Sequence, residues 1–105
     1  MIVTAWSNGS PRDTGAGYGL KLTIEDRDAY FRRSWQSVAV VFPDGRETNV
    51  NVAKPSFWGL TCRDLISAEI GRWLLAEGLA PWPKGVPPRL YLQPAGEARF
   101  VLKRK

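Results

Sequence analysis

The chain has 105 residues, 44% of them apolar, which is enough for one hydrophobic core and too little for a second of comparable size. Fifteen Lys and Arg against ten Asp and Glu give a net charge of +5, a balance that permits an anionic partner such as nucleic acid without requiring one. The absence of histidine and the single cysteine, Cys62, exclude an internal disulfide, most zinc constellations and Ser-His or Cys-His nucleophile pairs, so neither a metal nor a cofactor is expected.

Residues 2 to 6 read as a short strand, followed by a polar loop over 7 to 17 in which Ser7, Asn8, Gly9, Ser10, Pro11, Arg12, Asp13 and Thr14 are turn-forming or hydrogen-bonding types. The next strand, Tyr18 to Ile24, places Tyr18, Leu20, Leu22 and Ile24 on one face and Gly19, Lys21 and Thr23 on the other. Gly15, Gly17 and Gly19 do not have dinucleotide-fingerprint spacing and supply loop flexibility. The charged run Glu25 to Asp28 leads into a helical turn or irregular connector over 29 to 35 that buries Phe31 and Trp35 and leaves Arg32 and Arg33 in solvent.

Ser37 to Phe42 is a β-branched strand, and Pro43-Asp44-Gly45 turns the chain back through Arg46 to Val52 as a hairpin partner. Along that partner the side-chain period of two sends Thr48, Val50 and Val52 to one face and Asn49 and Asn51 to the other. Lys54, Ser56, Phe57 and Trp58 follow with no acidic residue among them, and Pro55 ends the strand. Amide, ammonium and hydroxyl side chains suit base edges and phosphates, although outward asparagines also simply solvate a strand.

Thr61 is the expected cap of a helix running to about Glu77, with Asp64 near its positive end and Gly78 at its stop. Leu65, Ile66, Ile70, Trp73 and Leu74 fall on one stripe, so this helix packs on the sheet. Four prolines between Leu79 and Pro88 make a stiff, packed crossover. Arg89 to Gln93 and Ala98 to Leu102 form a closing hairpin around Pro94 to Gly96, and Lys103 to Lys105 is a solvated end.

The expected class is therefore α+β, mainly β with one amphipathic helix, in a single domain over residues 1–105. The order of elements resembles the B3-type DNA-binding pseudobarrel of plant transcription factors and EcoRII-like restriction endonuclease recognition domains. The resemblance lies in the loop leading to Tyr18-Gly19-Leu20-Lys21-Leu22, the helix residues Ile70-Gly71-Arg72-Trp73-Leu74 followed by Gly78-Leu79, and the hairpin from Tyr91 to Leu102. The plant family's usual glycine-aspartate pair after the helix is replaced here by Pro83 to Pro88, and the helix is longer than that family's. The resemblance implies an open barrel with two arms that grip the major groove of double-stranded DNA. One arm corresponds to Ser7, Asn8, Ser10, Arg12, Asp13, Thr14 and Lys21, and the other to Asn49, Asn51, Lys54, Ser56 and Trp58. Trp58 equally suits a place in the core beside Phe57.

Two other classes compete. A nuclease would need Asp13, Glu25, Asp26, Asp28 and Glu47 to gather metal near Lys21 or Lys54, and no strand carries an acid pair followed by lysine. A protein-interaction module would present Trp58, Trp82 or Tyr91 as an anchor. No stretch nears the roughly 18 apolar residues of a membrane span. The first residues do not read as a signal peptide, and the lone thiol suits a reducing cytoplasm. A non-catalytic reader of duplex DNA is the expectation that best joins these features.

Overall fold

The computed structural model describes residues 1–105 as β1 (Ile2–Ser7), β2 (Tyr18–Lys21), α1 (Ile24–Tyr30), β3 (Ser37–Val41), β4 (Glu47–Asn51), a 3-10 turn at Pro55–Trp58, β5 (Asp64–Ile66), α2 (Ala68–Ala76), β6 (Arg89–Pro94) and β7 (Arg99–Arg104). The seven strands form one sheet in the order β4-β3-β7-β6-β1-β2-β5. All neighbours are antiparallel except β3 and β7, which pair in parallel through Ala39–Arg99, Val40–Phe100 and Val41–Val101. The sheet curls until its two edge strands approach, and a contact of 3.5 Å between Thr48 Oγ1 and Ser67 Oγ spans the seam. The result is a nearly closed, barrel-like sheet around 21 buried apolar residues. No helix is long and apolar enough to cross a membrane.

The pairing pattern fixes which connections share an end. Strands β1, β3, β5 and β7 run one way and β2, β4 and β6 the other. The β1–β2 loop, the β3–β4 turn and α2 therefore gather at one end of the barrel. The turn after β4, α1 and the β6–β7 turn gather at the opposite end.

The chain departs from the expected elements at three places. The strand from Tyr18 stops at Lys21, and the charged run belongs to α1 rather than preceding a later helical turn. Thr23 explains the shift: its hydroxyl accepts from the Asp26 N–H at 3.1 Å, and Glu25 and Asp26 then lie in the first turn, where the helix dipole favours carboxylates. Phe31 ends α1 in extended geometry, buried as expected, and Trp35 packs at its edge in the following turn.

The single helix expected from Thr61 to Glu77 is instead a strand followed by a shorter helix. Asp64–Ile66 pairs with Gly19–Lys21, and Ser67, not Thr61, caps α2 by accepting from the Glu69 N–H at 3.1 Å. Leu65 and Ile66 thus do not belong to the helical stripe: Leu65 enters the core from β5, and Ile66 is exposed. The mainly β class stands, with two α-helices in place of one. Ile70, Trp73 and Leu74 do form the buried face of α2, each worth roughly 1.5–3 kcal/mol of burial. Gly78 ends the helix with φ +73°, while the Leu79 N–H returns to the Leu74 carbonyl at 2.9 Å.

The Pro-Asp-Gly hairpin forms as expected, with Gly45 at φ +91° and the Phe42 N–H bonded to the Arg46 carbonyl at 2.7 Å. The proline-rich crossover packs through Ala80 and through Trp82, whose ring centroid lies 5.7 Å from that of Tyr18. The end of the chain is more ordered than a solvated tail, because β7 continues to Arg104, which reaches Glu77 below α2.

Candidate nucleic-acid interface

The first polar loop is held by its own backbone and by α2. Asn8 N–H donates to the Gly17 carbonyl and Arg12 N–H to the Ala16 carbonyl, both at 2.9 Å, which folds residues 8–17 into a compact excursion between β1 and β2. The Asn8 side-chain oxygen accepts from the Ser10 N–H at 2.9 Å, leaving its amide NH2 for other partners. Gly15, with φ +91°, lies directly against Gly71 of α2, and any side chain at either glycine would strike the backbone of the other element. The Arg72 guanidinium donates to the Thr14 carbonyl at 2.7 Å and completes the attachment. Asn8, Ser10, Arg12, Asp13 and Thr14 are exposed on this anchored loop, and Ser7 is half-buried at the end of β1.

The second polar segment begins on β4. Asn49 and Asn51 are exposed while Val50 and Val52 are buried, as the strand period requires. Asn51 turns its side-chain oxygen onto the Ala53 N–H at 2.8 Å, so it too presents chiefly donors. Lys54 precedes the 3-10 turn and is half-buried, and Ser56 is exposed on that turn. Trp58 is partly committed to structure. Its indole N–H donates to the Val52 carbonyl at 3.0 Å, its ring packs on Phe57, and the Arg33 guanidinium lies 4.8 Å from its centroid.

Arg27 fixes this segment and was not evident from the charged run that contains it. It is 4% exposed, and its guanidinium donates to the Phe57 carbonyl at 3.0 Å, to the Gly59 carbonyl and to the Asp28 carboxylate at 3.1 Å. A guanidinium offers five donors in a planar fork, which suits capping carbonyls of a turn that has no ladder partners. The readable signal was spacing: Ile24, Arg27 and Phe31 fall at i, i+3 and i+7 on the inner face of α1. Arg33, expected simply in solvent, adds an exposed cation over Trp58 beside the same segment.

The two segments lie at opposite ends of the barrel, flanking the seam between β4 and β5. Lys21 departs from its expected grouping with the first loop. It sits at the far end of β2, beside the second segment's exit, with its ammonium 3.3 Å from Asp64 Oδ1 and 3.3 Å from the Thr61 carbonyl. Asp64 is buried and that oxygen accepts no well-directed hydrogen bond, so the contact is chiefly one of charge. Lys21 therefore neutralises a buried carboxylate and brings less free positive charge than a bare lysine. Asp64 itself is a strand residue in this ion pair and not the helix-start acid expected of it.

Other carboxylates near the seam are matched. Glu47, on β4 beside Asn49, accepts both Arg99 guanidinium nitrogens at 3.0 and 3.1 Å. Hydrogen bonding by Arg99 and its charge hold the Glu47 carboxyl below the ordinary range and raise Arg99. At the β3–β4 turn the Arg46 backbone N–H, followed by its side chain, lowers Asp44. A cleft of about 540 Å3 between α2 and this hairpin is lined by Phe42, Arg46, Glu47, Glu69, Arg72 and Trp73, but each of its charged side chains is already matched, Glu69 by Arg72 within the cleft, Arg46 by Asp44 and Glu47 by Arg99. No three acidic or thiol side chains come together as a metal-binding group. Compared with protein-family models, with curated proteins and with solved structures, the chain matches none.

Proposed function

We propose that this protein is a B3-like, non-catalytic domain that reads duplex DNA in the major groove. The observation that carries the reading is the pair of exposed polar segments, each anchored by a buried or backbone-directed arginine, at the two ends of the seam of a nearly closed barrel. Asn8, Asn49 and Asn51 offer amides for base edges, Arg12 offers a forked donor for guanine, and Lys54, Ser10, Thr14 and Ser56 suit phosphates. Arg33 joins them as a phosphate or base contact beside Trp58. Asp13 would accept from a cytosine amino group, while Ser7 and Lys21 act at the edges of the surface.

The competing reading as an aromatic-anchored protein module has less support. Trp82 packs at a tilt against Tyr18 and Trp58 is bonded to Val52, so two of its three anchors are already engaged. The test is fluorescence-anisotropy binding to a randomised duplex pool at low and near-physiological salt, followed by sequencing of the retained DNA. Enrichment of a short motif with affinity falling steeply with salt supports a sequence reader. Absence of binding at low salt would overturn it.

A further inference from the structure

The outer face of β1, β6 and β7 carries a second array that the loops do not use. Leu90, Leu92 and Leu102 point into the core, so Arg89, Tyr91 and Lys103 point outward, and all three are exposed. The register places Tyr91 between Ile2 and Lys103 in one cross-strand row. Thr4 in the next outward row stands opposite Arg89, and Trp6, half-buried, lies two residues further along β1. An aromatic, a cation and another aromatic therefore alternate along this face, with a second cation beside Tyr91. The rows of Trp6 and Tyr91 are about 13 Å apart at ordinary strand rise.

We infer that this face binds single-stranded nucleic acid at a site separate from the proposed duplex surface. Arg89 and Lys103 take part in none of the chain's ion pairs or side-chain hydrogen bonds. The carboxylates in register on the flanking strands are both matched, Asp64 of β5 by Lys21 and Glu47 of β4 by Arg99. The uncompensated charge selects a polyanion. The exposed ring of Tyr91 distinguishes among polyanions, because among them it is single-stranded nucleic acid whose bases are free to stack on an aromatic face. A sheet surface of this kind tracks a backbone with its cations and stacks bases on its aromatics, which gives strong binding with little sequence preference.

The test uses the full chain and a fluorescein-labelled short oligodeoxythymidylate, read by anisotropy over a salt series, with circular dichroism to verify that each surface variant is folded. Tyr91→Ala should weaken binding about tenfold with little change in salt slope, since stacking is lost and charge is not. Arg89→Ala combined with Lys103→Ala should weaken binding and reduce the salt slope by about 1.4, as expected for two phosphate contacts on a single strand. Lys54→Ala and Arg12→Ala should leave this affinity unchanged. Failure of the oligonucleotide to bind, unaltered affinity in Tyr91→Ala, or an equal loss in Lys54→Ala would overturn the inference. Binding of anionic phospholipid vesicles without binding of the oligonucleotide would overturn it as well. Loss of duplex binding with intact single-strand binding would remove only the major-groove reading, so the two fail independently.

Discussion

A buried arginine whose only carboxylate partner lies at the surface is costly unless its donors are used, and Arg27 uses them on the carbonyls of Phe57 and Gly59. The residue thereby converts a segment with no ladder partners into a fixed turn that carries Ser56 and Trp58. Arg27→Ala is expected to lower stability by about 2–3 kcal/mol, the scale of hydrogen bonds to a charged group, measured by urea unfolding. A loss within the roughly 0.5 kcal/mol of ordinary surface substitutions would show that the turn holds without it. The sequence disguises this role because Glu-Asp-Arg-Asp looks like a solvated run, and only the spacing from Ile24 to Phe31 turns the arginine inward.

Two element-scale contacts decide whether the loop and the sheet edge hold their positions. Ala is better than Gly inside an exposed helix by about 1 kcal/mol, so Gly71→Ala would stabilise α2 if nothing faced it. Here the added methyl strikes the backbone of Gly15, and overpacking of about 1–3 kcal/mol should outweigh that gain. Thermal unfolding of Gly71→Ala gives the sign directly: a raised midpoint would mean that the first loop is not seated on α2. Glu47 and Arg99 join β4 to β7 across Ala39 and Val41. Because the folded Glu47 holds its proton less readily than the ordinary value near 4.5, the unfolded chain binds more protons there. Its contribution is therefore complete above that value and disappears as pH falls through the lower folded pKa. The stability difference between the protein and Glu47→Gln should shrink over that acid window, and a difference that grows on acidification would contradict the pairing. At this scale the sequence is uneven in what it discloses. Pro43-Asp44-Gly45 between alternating runs identifies its hairpin through local turn chemistry alone. The three residues of β5 are a strand only because β2 lies beside them, and Thr61 and Ser67 are equally good caps until that non-local pairing consumes Asp64 to Ile66.

At the scale of the whole molecule, strand direction turns two stretches distant in sequence into the two ends of one seam. That arrangement was not legible in the chain, because neither loop carries a signal for the other and the closing contact between Thr48 and Ser67 depends on how the whole sheet curls. Asn49 and Asn51 could be read as outward from period two, whereas Lys21 lies away from the first loop because β2 runs from Tyr18 back along β1, and the pairing of β5 with β2 then gives it Asp64 as a partner. If duplex DNA spans the seam, the segments should divide their labour by chemistry. Arg12, exposed and free of any ion pair, can form a fork with a guanine edge, worth about 1–3 kcal/mol of discrimination. Lys54 is a compact charge without planar geometry, suited to phosphate. Arg12→Ala should therefore flatten the preference at one position of a selected motif while leaving non-specific affinity nearly intact. Lys54→Ala should weaken every sequence alike and reduce the slope of log affinity against log salt by about 1. Competition binding with the selected duplex and its single-base variants separates these outcomes. Loss of base preference in Lys54→Ala, with none in Arg12→Ala, would exchange the roles of the two ends, and no change in either would place the DNA elsewhere on the barrel.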